Sequence, residues 1–431
     1  MPCLGAIAVN GINVSIHFHI IGLGVSQTAL LSSEAERGLK KSSVVLGSHR
    51  QLNVVERYLS DQITYEFPKF SELPNWIEEQ QALGVKDVAI LGSGDPLFFG
   101  IGRWFSRYFA EGQLSFYPAV SSIQAACHKL GLSLQDCKVI SLHGRPLETL
   151  RASLKQNQTL LILTDTHSLP LALAKECKDM GFGSAKISVC EKLGYDDECI
   201  RTYLANDEAI GEASFDPLHV SVIETGSSKV FVPEFPGIPD TEFYTDGPSG
   251  KGMLTKREVR LSILSLLQPS RGDVIWDIGA GCGSVAVELA LWQQQHQVFA
   301  IEHHQERFHC LKKNQDKFGV QQSLKIIEGR APDALQDLDN PTKIFIGGSD
   351  GELCRLFSYC WALLPKGGVL LASAVTEQTK HTLMDQVFAH KAEEDSHFES
   401  VQIAVSRSSE LAGQLMYRPN LPVTLFKWVK Q

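Results

Sequence analysis

Two segments carry residue types at spacings suited to chemistry. In one, the apolar run Val274-Ile275-Trp276 leads into Asp277-Ile278-Gly279-Ala280-Gly281-Cys282-Gly283. A buried strand that ends in an acid and enters a glycine turn lets a ligand approach the main chain, and a helix start just beyond adds free N–H groups. Glu302 closes the next apolar run, where a carboxylate can accept hydrogen bonds from both hydroxyls of a ribose. A dinucleotide site would need G-x-G-x-x-G, and so a glycine at 284, where Ser284 stands. The other segment is Leu91-Gly92-Ser93-Gly94-Asp95-Pro96-Leu97-Phe98-Phe99-Gly100. Here a strand feeds a glycine loop, Asp95 is suited to cap a following helix and Pro96 to occupy its first position. A shorter loop, Ile21-Gly22-Leu23-Gly24-Val25, leaves the first strand of the chain in the same manner.

The elements that must position these turns alternate. Strand patterns at 15–21, 44–46, 87–91, 113–117, 138–142, 160–163, 186–190 and 219–224 are separated by helical patterns, the first starting from Ala29. That order predicts an α/β domain with a largely parallel sheet. The character changes from Gly226 to Gly252, where Pro233, Pro236 and Pro239 and the turn Asp246-Gly247-Pro248-Ser249-Gly250 disfavour helix and strand. We place the boundary near Pro236, with a first domain at 15–232, a linker at 233–252 and a second domain at 253–431. The second domain reads as helix 256–267, strand 273–277, helix 284–292, strand 297–302, helix 305–318 and strands 324–328, 343–346 and 368–373. This predicts a doubly wound sheet with its ligands at the carboxyl ends of the strands. Residues 1–14 read as an extension outside the fold.

Composition narrows the class. At 431 residues the chain is too long for one core. Apolar content of 43% and charged content of 21% are those of a soluble globular protein. A net charge of −9 with no Lys/Arg stripe argues against a nucleic-acid partner. No apolar run of about 18 residues exists to span a membrane, and the absence of Lys or Arg before residue 15 argues against a secretory leader. Ten cysteines without a CxxC pair suggest reduced thiols in a cytoplasmic protein. The nearest gathering of ligand types, His303, His304, His309 and Cys310, runs from a strand into a helix, and no metal site is expected.

The Asp277 to Gly283 turn, with Glu302 at the next strand end, resembles the first motif of class I S-adenosylmethionine methyltransferases. Glu328-Gly329-Arg330-Ala331-Pro332 resembles their adenine-contacting motif, with Arg330 where Asp is usual, and Ile346-Gly347-Gly348-Ser349 falls where substrate meets the methyl group. In the first half, the two glycine loops, Tyr117-Pro118-Ala119-Val120-Ser121-Ser122 and Ser141-Leu142-His143-Gly144-Arg145-Pro146 together resemble the tetrapyrrole methylases, a two-lobed fold. That family usually has Pro-Gly where Pro118-Ala119 stands, and G-x-G-P-G where Val25 and Ser26 follow Gly24.

With Met253-Leu254-Thr255-Lys256-Arg257-Glu258-Val259-Arg260 entering the second domain, the combination resembles the precorrin-6Y C(5,15)-methyltransferase (decarboxylating) family over residues 15–420. The resemblance implies methylation of precorrin-6B at C-5 by the first domain. It implies methylation at C-15 and loss of the ring C acetate carboxyl by the second, giving precorrin-8X in cobalamin biosynthesis. It further implies one S-adenosylmethionine site per domain, a polycarboxylate tetrapyrrole substrate and a homo-oligomer. The first site would draw on Gly22, Gly24, Gly92, Gly94, Asp95, Pro96, Ser121 and Ser122. The second would draw on Asp277, Gly279, Gly281, Gly283, Glu302, Gly329 and Ala331. Carboxylates of the macrocycle call for cations at the pocket mouths: Lys256, Arg257 and Arg260 at the second site, Arg145 at the first. Thr255 is either a substrate contact or a helix N-cap completed by Glu258, and His143 a proton carrier or a loop residue. Competing readings are a cobalt-containing or other tetrapyrrole as substrate, and a non-catalytic S-adenosylmethionine sensor.

Overall fold

A computed structural model describes residues 15–248, 252–292, 295–393 and 396–431, with backbone alone at 391–393. The expected extension at 1–14, and residues 249–251 of the expected linker, lie outside the described residues. The chain divides into two compact units, one running to Leu147 and again over Gln156–Val230, the other comprising Glu148–Lys155 and Phe231–Gln431.

The first unit opens with β1 (His17–Gly22), α1 (Ser33–Lys41), β2 (Val44–Gly47), α2 (His49–Val55), β3 (Ile63–Glu66), α3 (Leu73–Ala82), β4 (Asp87–Gly92), α4 (Gly102–Tyr108) and β5 (Leu114–Tyr117). Their strands form one sheet in the order β3-β2-β4-β1-β5, parallel throughout. Near-continuous apolar strands such as Val88–Leu91 are buried on both faces, as parallel sheets require. The first helix starts four residues later than Ala29. The Ala29 N–H is bound to the Val54 carbonyl, and Ser32 caps the helix by accepting from the Ala35 N–H.

The second lobe of this unit contains α5 (Ser122–Leu130), β6 (Cys137–Ser141), β7 (Thr159–Leu163), α6 (Pro170–Asp179), β8 (Lys186–Glu191), β9 (Cys199–Leu204), α7 (Ala209–Glu212) and β10 (His219–Glu224). Its sheet order is β6-β7-β10-β8-β9, and here the expectation of a largely parallel sheet fails: β6–β7 alone is parallel. The connection between β8 and β9 is too short for the crossover that a parallel pair needs, so it closes as a hairpin.

The second unit contains α8 (Arg257–Leu267), β11 (Val274–Ile278), α9 (Ser284–Trp292), β12 (Gln297–Glu302), α10 (Gln305–Phe318), β13 (Leu324–Glu328), β14 (Lys343–Ile346), α11 (Leu353–Leu363), β15 (Val369–Ala374) and α12 (Glu377–Glu393). It ends with β16 (Ser396–Ile403), β17 (Ser406–Leu411), β18 (Gln414–Pro419) and β19 (Val423–Lys430). Seven strands run in the order β13-β12-β11-β14-β15-β19-β16, with β19 antiparallel to both neighbours. Separate apolar clusters cover the two faces, as in a doubly wound fold. Nothing in the sequence reading anticipated the four C-terminal strands. The ribbon β17–β18 pairs only with itself.

Arg260 departs most from expectation. It lies on the inner face of α8, has no solvent exposure, and is not at a pocket mouth. Its Nε donates to Glu288 at 2.5 Å, Nη1 to Asp240 at 3.2 Å and to the Thr255 carbonyl at 2.6 Å, and Nη2 to the Ile238 carbonyl. Glu288 in turn accepts the N–H groups of Gly237 and Ile238 and the Trp292 indole. The proline-rich stretch is thereby tied to the second unit. Replacing Arg260 with Ala leaves the buried Glu288 carboxylate without its counter-charge and Asp240 with Arg407 alone, which costs about 3–5 kcal/mol. Urea unfolding followed by circular dichroism should show that loss in Arg260→Ala. A loss within about 1 kcal/mol, the size of an exposed pair, would refute the role.

Candidate functional site

The second unit encloses a cavity of about 350 Å³ at the carboxyl ends of β11, β12 and β14. Of the residues expected at this site, Thr255, Lys256, Gly279, Gly281, Glu302, Gly329 and Ala331 line it. Arg257, Gly283 and Asp277 do not: Arg257 is exposed beside Glu258 at 3.6 Å, and the other two lie behind the wall.

Glycine at these positions answers to protein neighbours. A Cβ on Gly279 would meet the Gly348 main chain at 2.7 Å, and one on Gly283 the Leu311 side chain at 2.0 Å. Gly281 has φ +59°, and a Cβ there would meet the Met253 carbonyl at 2.7 Å. The turn must therefore slot between the 252–256 segment and the loop after β14 to leave a cradle beside them. Asp246 holds that segment, accepting from the Met253 N–H at 2.7 Å while bound to Arg307. Of the two readings of Thr255, the capping box is not formed: Lys256 is the N-cap of α8, and its side chain makes no capping hydrogen bond. Glu258 instead pairs with Arg407 at 2.6 Å, which leaves the Thr255 side chain on the cavity wall.

The two acids of the motif meet opposite conditions. The Glu302 carboxylate accepts three main-chain N–H groups, from Gly281 at 2.8 Å, His303 at 3.0 Å and His304 at 2.8 Å. Those bonds orient the carboxylate toward the cavity and leave a lone-pair direction on Oε2 for one further donor. Asp277 is almost fully buried, and neither oxygen has a hydrogen-bond partner. Burial pushes it up to about 7, opposed by the nearby Ala286 amide and reinforced by the Glu302 charge. Between them, Cys282 is pushed up to about 12, chiefly by burial, so the turn offers no thiolate nucleophile. Arg330 donates to the Asp350 carbonyl at 2.9 Å, and His303 contacts the Asp350 carboxylate. The far wall comes from Ile403, Val405, Asn420 and Leu421, around the C-terminal strands. These residues escaped the sequence reading. The β-branched and aromatic run at 423–430 signalled a further strand beside them, but nothing in the sequence marked these four residues.

In the first unit the two glycine loops are bonded to each other. The Gly94 N–H donates to the Gly24 carbonyl at 3.0 Å, and the Leu23 N–H to the Gly92 carbonyl at 2.9 Å. A Cβ on Gly22 would meet the Gly94 carbonyl at 2.8 Å, and Ala119 and Pro96 at 2.9 Å, so this junction admits nothing larger than hydrogen. Asp95 does not cap a helix, because α4 starts only at Gly102. Its Oδ1 accepts from Leu97 and Phe98 in a local turn, and Oδ2 from the Ala119 N–H at 3.4 Å, tying the loop to the Tyr117–Ser122 segment. Ser121 caps α5, accepting from the Gln124 N–H at 3.1 Å, and Ser122 opens that helix. His143 and Arg145 are exposed on the turn after β6, and no hydrogen bond or ion pair links them to the glycine loops among the described residues. The sequence reading missed Arg50, which donates to Ser93 in the middle of the second loop.

Asp277 supplies a test. Its folded value near 7 lies above the ordinary carboxylate value, so between about pH 4 and 7 the folded chain keeps a proton that the unfolded chain has lost. Stability from this group therefore falls as pH rises through that window, by up to about 1.4 kcal/mol per unit. The melting temperature of Asp277→Asn should drop less between pH 5 and pH 8 than that of the parent. Parallel profiles would show that Asp277 is not held protonated.

Both units match known families. Residues 17–206 match the tetrapyrrole (corrin/porphyrin) methylases, and residues 246–430 match the precorrin methyltransferase domain. A precorrin-6Y C(5,15)-methyltransferase [decarboxylating] of Sinorhizobium sp is 34% identical over 97% of this chain and 97% of its own. The protein of the same name from Mycobacterium tuberculosis is 30% identical over 96% of this chain and 99% of its own. A probable cobalt-precorrin-6B C(15)-methyltransferase (decarboxylating) of Pyrobaculum aerophilum is 34% identical over 44% of this chain and 93% of its own. Similarity of this degree, sustained from end to end, makes the chain a methyltransferase of the precorrin-6Y C(5,15)-methyltransferase (decarboxylating) family, with S-adenosylmethionine as its methyl donor.

Proposed function

We propose that this chain methylates precorrin-6B at C-5 and C-15 and decarboxylates the ring C acetate, giving precorrin-8X in cobalamin biosynthesis. The first unit acts at C-5, and the second at C-15 and on the acetate. The observation that carries this reading is the presence of two separately built glycine cradles. One is the bonded pair of loops at Gly22–Gly24 and Gly92–Gly94, and the other the Gly279–Gly281 turn beside Glu302.

S-adenosylmethionine supplies an electrophilic methyl group on a sulfonium sulfur. Gly22, Gly24, Gly92, Gly94, Asp95 and Pro96 would hold it in the first unit, with Ser121 and Ser122 contributing main chain. Gly279, Gly281, Glu302, Gly329 and Ala331 would hold it in the second, with Asp277 and Gly283 behind the wall setting the turn. A reduced tetrapyrrole has electron-rich bridging carbons and is its own nucleophile. The protein's part is to align that carbon with the methyl group and to exclude water. The apolar wall of Ile403, Val405 and Leu421 suits the second task, and Thr255 and Lys256 the recognition of carboxylates at the cavity. Arg257 just outside, and His143 and Arg145 on the first unit, are the further groups in this reading. Decarboxylation breaks the carbon–carbon bond of the acetate, sends its electron pair into the conjugated ring and leaves a carbon that takes up one proton. We read the protein as cytoplasmic and free of nucleic acid. No helix among the described residues is long and apolar enough to cross a membrane. Self-association belongs to the same reading, supported by exposed Leu411, Leu415, Met416 and Tyr417 on the ribbon.

A cobalt-containing substrate is the second reading, supported by the likeness of the second half to archaeal relatives bearing that name. The test uses whole-chain variants. Gly22→Ala should abolish the first unit's methyl transfer, and Gly281→Ala the second unit's transfer together with carbon dioxide release. Products are read by mass spectrometry with labelled donor, on metal-free and cobalt-loaded precorrin-6B. At least one variant should still add a single methyl. Complete loss in both, or no transfer by the parent to either substrate, would overturn the division of labour or the substrate respectively.

A further inference from the structure

Arg50 stands where the first site needs a cation. It follows β2 at the start of α2, and its Nη2 donates to the Ser93 hydroxyl at 2.7 Å. Ser93 is the middle residue of the Gly92–Gly94 loop, whose main chain is bonded to Gly24. Gln51 donates to the same hydroxyl at 3.0 Å. On its other side, Nη1 of Arg50 donates to the Tyr195 hydroxyl at 3.3 Å, in the loop after β8 of the second lobe. The guanidinium thus bridges the two lobes of the first unit beside the glycine loop.

Its partners are all neutral, although acids are close in sequence to Tyr195. Asp197 is paired with Lys192 at 2.5 Å, and Glu198 with Lys129 at 2.6 Å and the Gly194 N–H at 2.8 Å. No carboxylate meets Arg50 among the described residues, and its side chain is exposed. Among the described residues the Arg50 guanidinium has hydroxyl partners but no protein counter-charge, and the rest of it faces water. A carboxylate that reaches it gains two parallel charge-assisted bonds and displaces the weaker Tyr195 contact. Arg145, the cation expected from sequence, has no bond to either glycine loop.

We infer that Arg50 is the carboxylate receptor of the first site, in a position to hold a carboxylate across the mouth between the lobes. This rests on reading the first unit as a methyl-transfer site. Two carboxylate sources share the chemistry: the methionine end of the donor, and the acetate and propionate arms of the tetrapyrrole.

Arg50→Gln and Arg50→Lys in the whole chain separate the outcomes, because methyl transfer by the second unit and carbon dioxide release serve as internal controls. Arg50→Gln should raise KM for one ligand of C-5 methylation about tenfold or more, the size of a lost charged hydrogen bond. Arg50→Lys keeps the charge but not the fork and should fall between parent and Arg50→Gln. A rise in KM for S-adenosylmethionine assigns the methionine carboxylate, and a rise in KM for the tetrapyrrole assigns a macrocycle arm. C-5 values within twofold of the parent for both ligands would overturn the inference. So would an equal fall in both units' activities, which marks a folding defect. A parent that transfers no methyl to C-5 would overturn the site reading itself, and the inference with it.

Discussion

A guanidinium with no access to solvent organises the second unit. Removing Arg260 from water is costly unless every donor is met in place. It is met by Glu288, Asp240, the carbonyls of Ile238 and Thr255, and the Phe243 ring at 4.9 Å. Those partners come from three places in the chain: the proline-rich stretch, the segment before α8, and α9. Satisfying one charge therefore fixes how all three sit on the sheet. Thr255 and Lys256 are carried to the cavity wall as a result. Arg407, on β17, reaches the same Asp240 at 3.3 Å and brings the C-terminal ribbon into the arrangement.

Both units use strand ends and main chain to build a cradle, but by different routes. In the first, two loops that leave adjacent parallel strands bond to each other, and a glycine at 22 is the condition for their contact. In the second, one turn is squeezed between the Met253 carbonyl and the loop after β14. Glu302, with three N–H groups on its carboxylate, is held ready as an acceptor. Asp277, one strand away and without a partner, is pushed toward the neutral form. Two acids on adjacent strands, two positions apart in register, thus differ because one is met by main-chain N–H groups and the other has no hydrogen-bond partner.

The chemistry asked of the protein is consistent with this construction. A substrate that is its own nucleophile needs orientation and dryness, not an activated side chain. The buried thiols fit that division: Cys177, Cys282 and Cys360 are all pushed up to about 12 by burial and stay inert. Recognition of a polyanion by a chain of net charge −9 depends on local cations. Arg50 and Lys256 stand beside the cradles, while Arg260 is consumed internally.

The sequence by itself determined the local chemistry. Apolar runs ending in Gly279–Gly283 or Gly92–Gly94 place glycine turns at strand ends, because strand period and turn propensity act over a few residues. The helices Ser284–Trp292 and Gln305–Phe318 and the strands Gln297–Glu302 and Leu324–Glu328 were legible with their limits for the same reason. Tertiary structure decided what depends on contacts between distant segments. It placed Arg260 inside, made Lys256 the N-cap, turned the second lobe's sheet mostly antiparallel, and supplied the cavity's far wall from β16 and the segment around Asn420. It also set Arg50 against Ser93, 43 residues away. A side chain's charge is written in the sequence. Whether that charge faces water, a partner or a ligand is settled only when remote strands and helices pack, because burial and pairing energies are properties of the assembled neighbourhood.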